Sequence, residues 1–118
     1  MKFIVNDREP VYLQIIRNIK QKVVTGELRM GEKLPSRREM AVIINVNPNT
    51  VQKAYKEMEE MGLINTVKNN HSTITEDENF IKQIREDLIN EATEVFIEQM
   101  KAINVGKDEI KSIINEKY

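Results

Sequence analysis

This chain of 118 residues contains no cysteine, no tryptophan and a single histidine. Without cysteine it forms neither disulfides nor thiolate metal sites, and that lack is compatible with a cytoplasmic location. Only three consecutive apolar residues precede Asn6, which predicts neither a signal peptide nor an anchor. No apolar run approaches the ~20 residues that span a bilayer, so we expect no membrane partner.

Catalysis and metal binding find little support in the residue types present. His71 is the only histidine, and no second histidine or close carboxylate pair accompanies it at ligand spacing. With four glycines, the chain also has no phosphate-cradling glycine loop. We therefore predict no catalytic residue, no metal and no cofactor, and the chain is not expected to be an enzyme.

The charge is unevenly divided along the chain, although its net value is only −1. Residues 1–75 contain 12 Lys and Arg against 8 Asp and Glu, a net charge of +4. Residues 76–118 contain 6 against 11, a net charge of −5. This division is typical of a DNA-binding module with a separate, acidic assembly segment, and random partition of a near-neutral chain is the alternative.

A first helical pattern begins at Ser36. Glu39 follows three residues later, which is the spacing of a capping box, in which each side chain satisfies a backbone N–H group at the helix start. The apolar residues after the cap are Met40, Ala41, Ile43 and Ile44. This pattern predicts a short helix with one buried side.

A second helical pattern begins at Asn47, after a turn of three or four residues. Pro48 takes the first helical position, where its missing N–H costs nothing. The apolar residues that recur at helical spacing are Val51, Ala54, Tyr55, Met58 and Met61. The opposite side carries Asn49, Gln52, Lys53 and Lys56. Two such helices, the second with hydrogen-bonding and basic side chains near its start, predict a helix-turn-helix that reads DNA.

An earlier helix is predicted to start at Pro10 and to end at Gly26. Its apolar residues keep helical spacing and are Tyr12, Ile15, Ile16, Ile19 and Val23. Leu28 supplies the hydrophobic contact that usually accompanies a glycine cap. Phe3–Val5 precede this helix as either a short strand or a packed segment.

A β-hairpin is predicted after the second helix-turn-helix helix, which Gly62 ends. The first strand is a β-prone run containing Leu63, Ile64, Thr66 and Val67. Residues 68–72 have turn composition, because asparagine tolerates left-handed backbone, and Thr73–Thr75 form the return strand. A hairpin in this place makes the helix-turn-helix motif winged.

Residues 76–118 carry a long apolar helical stripe. The side chains predicted to join two copies are Ile81, Ile84, Leu88, Ala92, Val95, Phe96, Met100 and Ile103. Gly106 is expected to break this helix, and a second short helix is marked by Ile110, Ile113 and Ile114. Helices that expose this much apolar surface on so small a body are not expected to stay monomeric.

These patterns predict a mainly α fold, with a winged helix-turn-helix domain of three helices plus a β-hairpin in residues 1–75. A C-terminal two-helix dimerisation segment follows in residues 76–118. The motifs P-x-Y-x-Q-I, G-E-L with G-E-K-L-P-S-x-R, and V-N-P-N-T-V-Q-K-A-Y occur in that order within Pro10–Ile64. Through them the chain closely resembles GntR-family bacterial transcription regulators. The short tail resembles the YtrA subfamily, which implies a small dimeric repressor.

The resemblance implies roles for individual residues in DNA binding. It matches Arg38 to a base-reading arginine and Ser36 to a phosphate contact. The exposed start of the recognition helix is matched by Asn49, Thr50, Gln52 and Lys53, whose side chains suit bases and phosphates. The predicted interface also includes Arg37, Asn47 and, in the wing, Lys68 and His71. The wing departs from the family's glycine-x-glycine turn, because Asn70, His71 and Ser72 occupy that region.

Simpler roles are also open for several of these residues. Asn47, Asn49 and Thr50 fit an ordinary helix cap and first turn. Arg37 and Arg38 fit solvated surface charges, and for Arg37 we favour that role. The recognition helix is predicted to end, away from the DNA, in a charge run with no evident partner, formed by Glu57, Glu59 and Glu60.

We therefore expect a sequence-specific DNA-binding repressor that acts as a homodimer on an inverted-repeat operator in double-stranded DNA. The residues do not identify a small-molecule effector. The first alternative is a winged-helix protein-interaction module without sequence-specific DNA binding, which the mild charge permits. The second is a small all-helical enzyme. It would need a cluster of acidic or basic side chains with perturbed pKa values, which the sequence does not offer.

Overall fold

The computed structural model describes residues 3–67 and 71–118. Within them the element order is α1 (Val11–Thr25), α2 (Arg37–Ile43), α3 (Pro48–Met61), β1 (Ile64–Val67), β2 (His71–Ile74), α4 (Glu78–Ala102) and α5 (Lys107–Lys117). The chain divides into two compact units, the first Met1–Ile84 and the second Arg85–Tyr118. The predicted mainly α, winged helix-turn-helix fold is confirmed.

Helix α1 begins and ends where the sequence predicted. Pro10 precedes its first turn, and Gly26 ends it with a left-handed φ of 82°, which glycine adopts without a Cβ clash. The Gly26 N–H donates to the Val23 carbonyl at 3.2 Å, and the Leu28 N–H donates to the Lys22 carbonyl at 2.9 Å. Leu28 is buried, so the expected hydrophobic contact of a glycine cap is present.

The segment before α1 is held by a buried glutamine and not by strand pairing. The Gln14 side chain accepts from the Asn6 N–H at 2.9 Å and donates to the carbonyls of Asn6 and Glu9, both at 2.8 Å. No strand forms at Phe3–Val5, so that alternative is wrong for these described residues. Side-chain amide bonds take the place of a strand ladder, since a buried amide needs partners for its donors and acceptor.

Helix α3 is the centre of the first unit and packs against α1, α2 and β1. Four of its five predicted apolar residues are buried, and Met61 is half-buried. The apolar core is formed by Ile15, Ile16, Ile19, Val23, Leu28, Leu34, Met40, Ala41, Ile44, Val51, Ala54, Tyr55, Met58, Leu63, Ile64, Ile74 and Ile84. In α2, Ile43 is 48% exposed and lies outside this core.

A four-residue turn, 44–47, joins α2 to α3. Asn45 takes a left-handed φ of 54°, a conformation that asparagine accepts more readily than most residues. The Val46 N–H returns to the Ala41 carbonyl at 3.0 Å, so the turn reuses an otherwise free carbonyl at the end of α2. This geometry sets the direction in which α3 leaves α2.

The β-hairpin after α3 is confirmed, with its return strand starting earlier than predicted. Gly62 ends α3 at φ 86°, and β1 pairs antiparallel with β2 from Ile64 opposite Ile74 to Val67 opposite His71. His71 and Ser72 therefore belong to a strand and not to the turn, because both continue the pairing of the return strand. The predicted turn residues 68–70 lie outside the described residues.

A third segment joins the hairpin edge. Lys33 forms a bridge with Thr73, the Leu34 N–H donates to the Ser72 carbonyl at 2.8 Å, and the Ile74 N–H donates to the Glu32 carbonyl at 2.9 Å. The stretch that leads into α2 is thus fixed to β2. The base of the wing and the stretch before the helix-turn-helix are consequently joined by backbone hydrogen bonds.

Helix α4 ends four residues before the glycine that was predicted to break it. Asn104 adopts φ 60°, and the Val105 N–H donates to the Met100 carbonyl at 2.9 Å, which closes the helix. Gly106 instead precedes α5 in extended backbone, with φ −85°. The prediction for Gly106 was wrong because an asparagine earlier in the chain had already taken the left-handed position. The second short helix is confirmed as α5.

Candidate nucleic-acid interface

The start of α3 is built to keep its first turn open to solvent. The Asn47 side-chain oxygen accepts from the Asn49 N–H at 2.8 Å, and Pro48 follows as the first helical residue. Asn47 thus acts as the helix cap, and its side-chain oxygen is already occupied by that bond. A helix N-terminus with exposed N–H groups attracts anions such as phosphate.

The exposed face of α3 carries the side chains that sequence reasoning selected. Asn49, Gln52 and Lys53 are exposed, and Thr50 is half-buried. Asn49, Gln52 and Lys53 stand at i, i+3 and i+4, so they share one helix face. Amide side chains pair with adenine and lysine contacts guanine, so this face can read base edges in a major groove.

Lys53 has a partner that the sequence did not suggest. Its Nζ lies 4.0 Å from the centroid of the Tyr12 ring on α1. A cation over an aromatic face is attracted by the ring quadrupole. Tyr12 was predicted only as a core residue, but it is half-buried and its ring orients the Lys53 ammonium.

The start of α2 has the predicted capping box. The Ser36 Oγ accepts from the Glu39 N–H at 3.1 Å, and the Glu39 carboxylate accepts from the Ser36 N–H at 3.0 Å. These bonds hold the pKa of Glu39 below its ordinary value. Arg38 is exposed, and its side chain has no hydrogen bond or ion pair within residues 3–67 and 71–118. It is therefore free to reach a ligand.

Arg37, one residue earlier, faces the protein. Its guanidinium pairs with the Glu59 carboxylate near the end of α3, and its Cζ lies 5.3 Å from the centroid of the Tyr55 ring. Only 28% of the Arg37 side chain is exposed. The interpretation of Arg37 as a solvated surface charge is therefore wrong, because its charge is paired and stacked. A DNA contact for Arg37 stays a prediction.

Tyr55 connects α3 to the stretch that precedes α2. Its hydroxyl donates to the Pro35 carbonyl at 2.7 Å, and its ring is buried. Burial raises the pKa of Tyr55 well above its ordinary value, so the hydroxyl stays protonated and keeps donating. The residue that precedes the α2 cap is therefore anchored directly to α3.

Glu59 is the centre of a polar network and not part of an unpartnered charge run. Besides Arg37, its Oε1 accepts from the Thr66 hydroxyl in β1 at 2.6 Å. Thr66 and Ser72, which oppose each other in the hairpin, have their hydroxyl oxygens 2.9 Å apart. The sequence prediction for Glu59 was wrong, since the wing and α2 both approach the last turn of α3.

Of the two wing residues predicted to contact DNA, the structure describes His71. His71 opens β2 opposite Val67 and is half-buried. Lys68 lies outside the described residues. The proposed wing contacts therefore stay predictions.

The predicted dimerisation residues fall into two groups by burial. Ile84 is only 4% exposed and belongs to the core of the first unit, so its side chain is not available to a partner. Leu88, Phe96 and Met100 are half-buried, and Ile81 is half-buried in the first unit. Across residues 85–118, all of which the structure describes, no side chain is buried. The second unit thus has no core of its own.

Comparison with known proteins places this geometry in a family. The family model for bacterial regulatory proteins of the gntR family matches residues 11–74, which contain the capped helices and the hairpin. The chain is a member of the GntR family. It is a transcriptional regulator with a DNA-binding winged helix, and neither its fold nor its relatives are those of an enzyme.

One relative extends the likeness into the C-terminal segment, and a second matches over a shorter stretch. The uncharacterized HTH-type transcriptional regulator YhcF of Bacillus subtilis is 40% identical over 102 residues, 86% of this chain and 84% of that protein. The HTH-type transcriptional repressor YtrA of Bacillus subtilis is 49% identical over 67 residues, 57% of this chain and 52% of that protein. The resemblance to the GntR family and its YtrA-like members is therefore confirmed.

A solved structure agrees over nearly the whole chain. A GntR family transcriptional regulator from Listeria monocytogenes matches with a TM-score of 0.89 and 37% identity, covering 97% of this chain and 100% of that one.

Within residues 3–67 and 71–118 of the present chain, no group of three or more His, Asp or Glu side chains could hold a metal ion. No helix in that part of the chain is long and apolar enough to cross a membrane.

Proposed function

We propose that this GntR-family protein is a repressor that binds an inverted-repeat operator as a homodimer. The observation that carries the proposal is the absence of any buried side chain in residues 85–118, although that segment is helical and rich in isoleucine. In proteins most of the stability of a helix comes from packing of an apolar face, and α5 is short enough to be marginal in water by itself. A second copy of the same surface is the simplest way to cover it.

The surface that a second copy would cover runs along α4 and reaches the following turn. Val95 is 55% exposed and Ile103 is 66% exposed, and both belong to the predicted stripe. The proposed dimerisation residues are Ile81, Leu88, Ala92, Val95, Phe96, Met100 and Ile103. We take residues 1–75 as the DNA-binding domain and 76–118 as the dimerisation segment.

The DNA surface is proposed from the exposed polar side chains of α2 and α3. Arg38 and Lys53 supply positive charge, while Asn49 and Gln52 supply amide groups for base edges. Two such surfaces related by a twofold axis would enter successive major grooves. Half-sites are then expected about 10 base pairs apart, or a multiple of that spacing.

Repression is the expected result of a dimer that binds at a promoter. A dimer bound across a promoter excludes polymerase, and the similar protein YtrA of Bacillus subtilis is a repressor by name. Binding to a promoter places the protein in the bacterial cytoplasm. The relevant partner is double-stranded operator DNA.

Selection of duplexes from a random library by the 118-residue chain tests this function. The expected result is an inverted repeat whose affinity exceeds that of a scrambled duplex and falls steeply with salt, as phosphate contacts require. Equal binding of selected and scrambled duplexes at every salt concentration would contradict it. That outcome would favour the protein-interaction alternative.

A further inference from the structure

One carboxylate oxygen joins the three parts of the winged helix. Glu59 Oε1, near the end of α3, accepts from the Arg37 guanidinium of α2 and from the Thr66 hydroxyl of β1. Arg37 precedes the proposed base-reading Arg38 in the chain, and Thr66 lies in the wing. A single acceptor thus links the start of α2 to the hairpin.

The direction of the hydrogen bonds extends the network into β2. A carboxylate only accepts, so the single proton of the Thr66 hydroxyl points to Glu59. The Thr66 oxygen must then accept from the Ser72 hydroxyl, 2.9 Å away. Ser72 is only 2% exposed, so its proton has little access to water. Glu59 is therefore linked by hydrogen bonds to one side chain on each strand of the wing.

This arrangement differs from an ordinary surface ion pair. The Arg37 and Glu59 side chains are 28% and 31% exposed, and the guanidinium also stacks on the Tyr55 ring. A partly desolvated pair with fixed geometry is costly to break from one side, because the other charge is left unpaired. Within the described residues the Arg37 Nε is buried and has no hydrogen-bond partner, so Glu59 is the main compensation for that charge.

Glu59 itself lies far from the DNA-reading end of α3. It follows Asn49 by ten residues, which is about 15 Å along a helix axis. Its influence on DNA binding must therefore pass through the groups it holds. The stretch before α2 reinforces this connection, since the Leu34 N–H donates to the Ser72 carbonyl at 2.8 Å.

We propose that Glu59 is a positioning residue for DNA recognition, which holds the α2 start and the wing in one fixed relation to the recognition helix through Arg37 and Thr66. The inference rests on the proposed operator binding. Because Glu59 links the wing to the start of α2 before DNA arrives, the two contact surfaces should lose less conformational freedom on meeting the duplex. Loss of the Thr66 link should loosen the connection between the wing and α3 while leaving α3 intact.

The test uses two variants of the 118-residue chain: Thr66→Val, which removes the hydroxyl at nearly constant shape, and Thr66→Ser, which retains it. Each protein is titrated on a duplex selected by the wild type, over a range of salt concentrations. Loss of the hydroxyl link should weaken binding about tenfold, the equivalent of one net hydrogen bond. The slope of log affinity against log salt should become shallower as wing phosphate contacts are lost. Thr66→Ser should retain the wild-type slope.

A second variant, Glu59→Gln, tests the Arg37 link separately. Glutamine can still accept from the Thr66 hydroxyl but leaves the Arg37 charge unpaired. We expect it to lower the ratio of selected to scrambled binding, since Arg38 follows the displaced Arg37. Melting temperatures of all variants are recorded alongside. A merely structural role would lower the melting temperature without moving the salt slope or the binding ratio.

The outcomes separate this inference from the proposed function. A wild-type protein that selects no duplex overturns both. A wild type that binds its duplex, together with Thr66→Val and Glu59→Gln proteins of unchanged slope and ratio, overturns only the positioning role. A shallower slope for Thr66→Val that Thr66→Ser restores supports it.

Discussion

The two compact units differ in what they bury. The first, Met1–Ile84, encloses a continuous apolar core around α3, whereas residues 85–118 bury no side chain. The first unit has the means to hold its fold alone, because burial of apolar side chains supplies most of the free energy of folding. The second has helices without a core. The proposed dimer follows from that contrast.

Removing most of the second unit should have the largest effect. A chain that ends at Asp87 keeps Ile84 and should remain folded but monomeric. Its operator affinity should fall by about 100-fold to 10,000-fold, because two linked winged-helix domains gain avidity that a single domain lacks. Light scattering and a shift assay on a selected duplex measure both quantities. A chain ending at Asp87 that stays dimeric would refute the role of the second unit.

Two apolar substitutions in α4, one in each unit, should have different effects on stability and on oligomeric state. Ile84→Ala should lower the free energy of unfolding by about 2–5 kcal/mol, since Ile84 belongs to the core of the first unit. Val95→Asp should instead give a monomer while leaving the core of the first unit intact, because Val95 is 55% exposed. Denaturant titration and sedimentation distinguish the two results. Equal losses of stability, with no change of mass for Val95→Asp, would remove the distinction.

The reading surface of the first unit can be tested with a matched arginine and lysine. Arg38→Ala should weaken operator binding by about 1–3 kcal/mol if the lost contact is bidentate to a base. Its unfolding free energy should not change, because the side chain is exposed and has no partner in the described residues. Lys111→Ala in α5 removes an equal charge from the second unit and should leave the affinity within twofold. Equal losses for both would assign the effect to net charge.

Two glycines, one in each unit, should respond with opposite signs. Gly62→Ala should destabilise the protein by about 1 kcal/mol, because φ is 86° there and a Cβ is strained in that region. Gly106→Ser should stabilise α5 by a few tenths of a kcal/mol, since Gly106 caps the helix with extended backbone and open space around it. Thermal melts measure both. Two changes of the same sign would contradict the assigned backbone roles.

Local signals made the helices of this fold predictable. The capping box at Ser36, the cap at Asn47 and the glycine at Gly62 act on neighbours within a few residues, so their spacing is visible in the sequence. Apolar periodicity then identified four buried residues of α3. The helix-turn-helix and the exposed α3 residues could be predicted for this reason.

Long-range pairing explains what the sequence did not show. Arg37 and Glu59 are 22 residues apart, and nothing in either neighbourhood indicates that they meet. Tyr12 looked like a core residue because it lies on the apolar face of α1, but its ring also receives Lys53. At the end of α4, Asn104 takes the left-handed position in place of the predicted break at Gly106, because asparagine also tolerates that conformation.

Sedimentation equilibrium of the 118-residue chain tests the central claim most directly. If the exposed α4 surface joins two copies, the mass should be twice 13.8 kDa at micromolar concentration, and Val95→Asp should return it to 13.8 kDa. A single-chain mass for the wild type, at concentrations where it binds its selected duplex, would contradict the account. The operator would then be read by one winged helix without help from the second unit.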